Sequence, residues 1–176
     1  MSKMLSYAGI GSRTTPAHIL QLMNQIGYEL ANLGWNLRSG HAAGADQAFE
    51  QGCIEAVGKK QIYLPWLGFN DAPRDHPDYI RPKVTQEVME ISAQFHPNWN
   101  NCSDPAKLLH ARNLYQITGH LEGSEPSVCV ICWTPSNNLG GTGQAIRIAD
   151  HLGIPVFNLA GEDTLDHLTQ FVQSKM

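Results

Sequence analysis

Short apolar segments alternate with longer amphipathic segments along this chain. The apolar segments are short enough to be β-strands, and the strands they predict cover residues 5–10, 36–38, 61–64, 128–133 and 155–159. In the first amphipathic segment the apolar residues recur at helical spacing, at Ile19, Leu22, Met23, Ile26 and Leu30. The pattern therefore predicts strands that alternate with helices.

Residues typical of helix ends mark several of the boundaries. A threonine N-cap at Thr15 followed by Pro16 predicts the start of the first helix, and Gly34 predicts its end. Asp104 and Pro105 predict the start of another helix in the same way. Further helices are predicted over about 46–58, 82–92, 144–152 and 164–173.

This alternation predicts an α/β fold. We expect a doubly wound parallel sheet in a three-layer α/β/α, Rossmann-like arrangement, with one domain over residues 1–176. The segment 128–133 is apolar almost throughout, as expected of a parallel strand that is covered on both faces.

Residues 66–101 interrupt the alternation. Prolines and aromatic residues punctuate this segment, and it is too rich in aromatic side chains for a linker. We expect an excursion over the ligand crevice that forms a lid or a partner-contact surface, or else a packed surface loop.

Composition narrows the functional classes. The chain has 176 residues, 42% of them hydrophobic, and a formal net charge of −4. An acidic balance disfavours nonspecific nucleic-acid binding, which needs a basic surface. There is no signal peptide and no apolar run long enough to cross a bilayer, so the predicted location is the cytoplasm, without membrane contact.

The four cysteines do not follow a zinc-ribbon spacing. Cys129 and Cys132 form a C-x-x-C, but it lies along a predicted strand rather than at a helix N-terminus, where a redox pair is found. We therefore expect buried structural thiols, no metal site and no cofactor.

Three turns of small residues follow predicted strands. They span Gly9–Arg13, Arg38–Glu50 and Leu139–Gln144. Glycines in such turns allow a ligand to approach the backbone, and the first turn of a following helix offers N–H groups to an anion. Three of these turns at the carboxyl ends of parallel strands predict a ligand crevice.

Polar residues near these turns are candidates for ligand contacts. Arg13 follows the first turn, and its planar guanidinium suits phosphate. Arg38 ends the second strand, while Arg112 and Asn113 lie together on an otherwise apolar helix. Arg38 and Arg112 are alternatively ordinary surface charges. Asp46 is either a helix cap or an acceptor for ribose hydroxyls.

Four motifs occur in order: Gly9-Ile10-Gly11-Ser12-Arg13, Ser39 to Asp46, Ala111-Arg112-Asn113, and Gly140 to Ala145. Together they resemble the SLOG superfamily, which includes DNA-processing protein A and the cytokinin-activating "lonely guy" enzymes. The set looks most like small stand-alone members, which are often phage-encoded and would then act in the host cytoplasm. The resemblance implies a Rossmann-like fold, a nucleotide-type ligand and a homodimer or higher homo-oligomer.

One departure from the resemblance concerns catalysis. The hydrolases of the superfamily carry paired glutamates after their glycine-rich run, where this chain has Ile146 and Arg147. Asp46 and Glu50 are the candidate catalytic carboxylates, and either one serves only if folding brings it beside the ligand.

The leading hypothesis is a protein that binds a nucleotide or a nucleotide-derived ligand, such as a nucleoside monophosphate, an ADP-ribose-like signal or a cyclic nucleotide. The first alternative is a nucleoside 5′-monophosphate phosphoribohydrolase, and the second is a mediator that binds single-stranded DNA. The predicted ligand-binding residues are Gly9, Gly11, Ser12, Arg13, Arg38, Ser39, Gly40, Ala43, Gly44, Asp46, Arg112, Asn113, Trp133, Thr134, Gly140, Gly141, Thr142, Gly143 and Gln144.

Overall fold

The computed structural model describes residues 3–135 and 140–176. Residues 136–139, which include Leu139 of the third predicted turn, lie outside the described residues. The described strands are β1 Ser6–Gly9, β2 Asn36–Ser39, β3 Lys60–Tyr63, β4 Tyr79–Ile80, β5 Val130–Cys132 and β6 Val156–Asn158. The described α-helices are α1 Ala17–Asn32, α2 Ala45–Glu55, α3 Gln86–Gln94, α4 Asp104–Thr118, α5 Gly140–His151 and α6 Thr164–Ser174.

The strands form one parallel sheet in the order β4-β3-β2-β1-β5-β6. The chain starts in the middle of the sheet, winds outward through β2 to β4, and then returns to the other side of β1. The predicted doubly wound α/β fold is confirmed.

Helices cover both faces of this sheet, because successive strand residues point to opposite sides. Tyr7 packs with Met23 of α1 and Phe49 of α2 in one hydrophobic core. The next residue, Ala8, packs with Leu114 of α4 in a second core on the other face. The three-layer arrangement follows from this alternation.

Helices α1 and α2 touch backbone to backbone through two glycines. A Cβ atom added to Gly52 would lie 1.9 Å from the carbonyl oxygen of Asn24, and one added to Gly27 would lie 2.4 Å from that of Phe49. Only residues without a side chain fit at this crossing. The close packing fixes α2, and with it the turn that precedes α2.

Two predicted helix starts are wrong. Helix α1 has Pro16 as its N-cap residue, because the Thr15 hydroxyl instead donates to the carbonyl oxygen of Ser12 at 2.6 Å. Helix α3 begins at Gln86 rather than near residue 82, and the Thr85 side chain caps it by accepting from the Val88 N–H.

The excursion over 66–101 also contains the edge strand β4, which the sequence does not predict. A strand of two residues is too short to show an alternating pattern. It is held by pairing with β3, in which Ile62 lies opposite Tyr79.

The prediction of buried thiols is confirmed for Cys129 and Cys132, whereas Cys102 is only partly buried. Cys129 lies in the core beneath α1 and α2, and Cys132 lies in the core beneath α4 and α5. They occupy opposite faces of the sheet, and burial raises the pKa of each thiol to about 12. This geometry excludes a C-x-x-C redox pair.

Candidate functional site

A cavity of about 530 Å³ opens where the chain leaves β1, β2 and β5. These three strands are neighbours, and the direction of winding reverses at β1. Ligands of open α/β sheets bind at this type of reversal point. The volume lies within the range of small-molecule sites. Predicted site residues that line the cavity are Gly11, Ser12, Arg13, Asp46, Arg112, Asn113, Thr134, Gly140, Gly141 and Thr142.

The loop after β1 forms one wall. A Cβ atom added to Gly11 would lie 2.5 Å from the Cβ of Ala45, so only glycine lets this loop lie against the start of α2. The Ser12 N–H donates to the Trp133 carbonyl oxygen at 3.0 Å, which ties the loop to the end of β5. Arg13 is exposed and extends from this fixed loop along the cavity.

Arg112 forms part of the cavity floor and is almost fully buried. Its Nη1 donates to the carbonyl oxygens of Gly40 at 2.7 Å and Tyr63 at 3.0 Å. Burial lowers the pKa of Arg112, the nearby Asp46 opposes that change, and the positive charge of Arg13 lowers the pKa further. Both arginines therefore bring positive charge to the cavity, which favours an anion there.

Asp46 is a buried carboxyl group on the same cavity wall. The Ala42 N–H donates to its Oδ2 at 3.2 Å. Burial raises the pKa of Asp46 to about 6, although the positive charge of Arg112 acts in the opposite direction. The pKa of this carboxyl group therefore lies closer to neutral pH than that of an ordinary aspartate.

The first turn of α5 forms another part of the cavity wall. Gly140, Gly141 and Thr142 line the cavity there, and Asn113 Nδ2 donates to the Gly141 carbonyl oxygen at 3.3 Å. Backbone N–H groups in the first turn of a helix have no partner within the helix, and the helix dipole favours negative charge beside them. This turn and Arg13 therefore both offer donors to an anion in the cavity.

Several predicted residues lie beneath the cavity, where they support it. The Ser39 hydroxyl donates to the Gly9 carbonyl oxygen at 2.6 Å, and Gly40 packs directly against the Arg112 side chain. Gln144 is buried and donates to the Ser92 carbonyl oxygen at 2.9 Å. The predicted residues Ala43, Gly44, Trp133 and Gly143 are likewise not among the lining residues.

Arg38 lies away from the cavity, although it is as buried as Arg112. Its guanidinium donates to Gln61 Oε1 at 3.0 Å and to the Glu125 carbonyl oxygen at 2.9 Å. These contacts join β2 to β3 and to the segment before β5.

Glu50 is also separate from the cavity. Its carboxylate contacts His41 Nδ1 at 2.7 Å and accepts a hydrogen bond from the Tyr79 hydroxyl. The hydrogen bond to Glu50 raises the pKa of His41. The contacts among Glu50, His41 and Tyr79 attach the excursion at β4 to the turn after β2. Of the two candidate catalytic carboxylates, only Asp46 lines the cavity.

Other lining residues were missed by the sequence analysis. Ala106, Leu109, His110 and Gln116 lie on α4 on the same face as Arg112 and Asn113. Helical spacing from Asn113 indicates this face, since residues three and four apart are neighbours on a helix. Phe69 comes from the excursion, 5.4 Å from the Arg112 guanidinium, and no local pattern indicates that position.

Three potential metal ligands lie at one edge of the cavity. The side-chain ligand atoms of His96, Cys102 and His110 lie within 4.8 Å of one another. Burial lowers the pKa of both imidazoles. The cluster was not predicted, because five and seven residues separate its members, which is not the spacing of the common zinc-binding motifs.

No protein-family model and no curated protein sequence matches the chain. Among solved structures, the chain is similar to the molybdenum cofactor binding protein from Rippkaea orientalis, with a TM-score of 0.58 and 18% identity over 89% of this chain and 76% of that one. It is also similar to the molybdenum cofactor carrier protein from Chlamydomonas, with a TM-score of 0.54 and 16% identity over 98% and 86%.

A third similar structure is DNA processing protein A from Helicobacter pylori. Its TM-score is 0.54, with 24% identity over 96% of this chain and 73% of that one. This chain has the SLOG-type fold. The SLOG resemblance seen in the four motifs is thus confirmed at the level of the fold. Within the described residues, no helix is both long enough and apolar enough to cross a membrane.

Proposed function

We propose that this SLOG-fold chain binds a nucleotide or a nucleotide-derived ligand in the cavity after β1, β2 and β5. The observation that carries the proposal is that Arg13, the buried Arg112 and the first turn of α5 all line one cavity. Similar solved structures are named for binding the molybdenum cofactor or single-stranded DNA, which agrees with a ligand-binding role for this fold.

The ligand phosphate lies between Arg13 and the N–H groups of Gly141 and Thr142 in this proposal. Arg13 offers a planar pair of donors, and the helix terminus adds backbone donors and a favourable dipole. Arg112 contributes positive charge to the same cavity, while its Nη1 donates to two carbonyl oxygens of the surrounding backbone.

The sugar and base occupy the other end of the cavity. Asp46 is placed to accept hydrogen bonds from sugar hydroxyls, and the apolar side chains of Phe69 and Leu109 offer a surface for the base. Apolar walls with a few placed polar groups are typical of small-molecule sites.

Calorimetric titration with a ligand panel tests the proposal. The panel contains nucleoside monophosphates, NAD, ADP-ribose and cyclic nucleotides. At least one of these compounds is expected to bind with micromolar affinity. Absence of binding by every compound at millimolar concentration would overturn the proposal.

A second candidate function, hydrolysis of the N-glycosidic bond of a nucleoside 5′-monophosphate, is favoured by Asp46. Its carboxyl group lines the cavity, and its pKa of about 6 suits proton transfer near neutral pH. Asp46 would then activate a water molecule or stabilise the positive charge that develops on the sugar.

Release of free base tests this second function. Asp46→Asn is expected to abolish release while the monophosphate still binds. Glu50→Gln is the matched control, since Glu50 contacts His41 and Tyr79 instead of lining the cavity. Absence of base release from the unmodified protein, with binding intact, would leave the chain as a binding protein.

A further inference from the structure

We propose that His96, Cys102 and His110 bind a divalent transition-metal ion of the zinc type at the edge of the cavity. The three side chains come from different elements: His96 follows α3, Cys102 precedes α4 and His110 lies within α4. The fold thus brings together two imidazoles and a thiol, the donor types that zinc prefers. This proposal does not depend on nucleotide binding.

The separations are close to those of a bound ion. Cys102 Sγ lies 3.8 Å from His96 Nε2 and 3.9 Å from His96 Nδ1, and the centroids of the two imidazole rings are 4.3 Å apart. Zinc bonds of about 2.3 Å to sulfur and about 2.0 Å to nitrogen place tetrahedral ligand atoms roughly 3.3–3.5 Å apart. The ligand atoms lie within 4.8 Å of one another, so binding an ion requires them to move somewhat closer together.

A hydrogen-bond chain fixes the tautomer of His110. Gln144 Nε2 donates to the Ser92 carbonyl oxygen at 2.9 Å, which identifies Oε1 as the amide oxygen. His110 Nδ1 lies 3.1 Å from that oxygen and therefore carries the proton. The lone pair of His110 is then on Nε2. Zinc-bound histidines are oriented by such a second hydrogen bond, so Gln144 is a positioning residue.

His96 also has an assignable lone pair. The Asn98 N–H donates to His96 Nδ1 at 3.1 Å, so this nitrogen is unprotonated. Coordination through Nδ1 replaces this hydrogen bond. The Trp99 ring packs beside both imidazoles, with centroids 6.2 Å from His96 and 6.4 Å from His110, and supplies an apolar wall.

Three protein ligands leave a fourth tetrahedral position for water or a ligand atom. His110 lines the cavity, and its ring lies 4.0 Å from the point that a Cβ of Gly141 would occupy. Because His110 lines the cavity, the fourth position lies at the edge of the cavity. Three ligands with one open position are typical of zinc sites that bind or activate an oxygen ligand.

Cobalt titration of the chelator-treated full chain tests this site. The absorption spectrum of bound cobalt indicates its ligands and geometry. A cysteine ligand produces a sulfur-to-metal charge-transfer band, and tetrahedral geometry strengthens the visible bands. We expect one cobalt ion per chain, both spectral features, and displacement of cobalt by one equivalent of zinc.

Variants assign the signal to the three residues. Cys102→Ser is expected to remove the charge-transfer band, and His110→Ala is expected to weaken cobalt binding by at least about 100-fold. Gln144→Leu is expected to weaken it about 10- to 100-fold without removing the band. His167→Ala, at an exposed histidine on α6, is the control and is expected to bind like the unmodified chain.

Circular dichroism of each variant separates loss of ligation from loss of folding. If Cys102→Ser does not fold, the loss of binding in folded His110→Ala still tests the proposal. The proposal is overturned if the unmodified chain shows no charge-transfer band with excess cobalt, or if folded His110→Ala binds cobalt as tightly as the unmodified chain.

Discussion

Arg112 Nη1 lies 2.7 Å from the carbonyl oxygen of Gly40, so the middle of helix α4 is joined directly to the turn after β2. The contact is buried, and a Cβ atom at position 40 would lie 2.6 Å from the same guanidinium. One side chain therefore shapes the floor of the cavity and places a positive charge beneath it.

Arg112→Ala is expected to destabilise the ligand-free protein. The change leaves the carbonyl oxygens of Gly40 and Tyr63 without this donor and removes the cation near Asp46. Loss of buried, charged hydrogen bonds costs about 2–5 kcal/mol in the free energy of unfolding. Urea denaturation measures the loss, with the exposed Arg81→Ala as a control within about 0.5 kcal/mol of the unmodified chain. A loss no larger than that of the control would contradict the structural role.

Asp46 is expected to make stability depend on pH. Its pKa is about 6 in the folded chain and 3.8 in an ordinary environment, so between pH 4 and 6 the folded state binds more protons than the unfolded state. The contribution of Asp46 to stability therefore falls as the pH rises through this window, by up to about 3 kcal/mol.

Asp46→Asn mimics the protonated carboxyl and removes this dependence. The stability of Asp46→Asn relative to the unmodified chain is expected to increase from pH 4 to pH 7, because the other titrating groups cancel in the difference. Urea denaturation at several pH values measures it. A difference that is independent of pH would show that Asp46 titrates normally in the folded chain.

Arg13→Ala is expected to weaken ligand binding without affecting folding. A charge-assisted contact to phosphate contributes roughly 1.5–3 kcal/mol, so the affinity should fall about 10- to 150-fold. Arg13→Lys should recover part of the loss, since lysine keeps the charge but not the planar pair of donors. The exposed position of Arg13 predicts an unchanged melting temperature. A lower melting temperature with unchanged affinity would assign Arg13 a structural role instead.

Gly52→Ala is expected to destabilise the protein, although alanine ordinarily favours a helix by about 1 kcal/mol over glycine. The added Cβ would lie 1.9 Å from the Asn24 carbonyl oxygen, so α1 and α2 must move apart. Overpacking of this kind costs about 1–3 kcal/mol. Gln51→Ala, at an exposed neighbouring position on α2, is the control. Thermal denaturation of both variants measures the effect, and a gain in stability for Gly52→Ala would contradict the close crossing.

The main elements of the fold could be predicted because their signals are local. Apolar runs marked five of the six described strands, and helical spacing with Gly34 marked α1. The edge strand β4 gave no such signal, because two residues form a strand only through pairing with β3. Thr15 misled the prediction of the α1 cap because its hydroxyl bonds to the loop instead.

The candidate site was predictable where glycine and arginine residues mark the turns. It was less predictable where tertiary contacts determine which side chains face the cavity. Arg38 and Arg112 look alike in sequence, and both are buried, but only Arg112 faces the cavity. Asp46 and Glu50 lie one helical turn apart on α2, but Tyr79 from the distant excursion engages Glu50. Contacts between residues far apart in the sequence therefore determine which residue of each pair lines the cavity.

The central claim is that the cavity binds a nucleotide through its phosphate. Paired calorimetric titrations test this most directly, with the best nucleoside 5′-monophosphate from the panel and the matching nucleoside. The account predicts that the monophosphate binds at least about 10-fold more tightly, which corresponds to one charge-assisted contact or more. Equal affinities of the nucleoside and its monophosphate, or binding of neither at millimolar concentration, would contradict it.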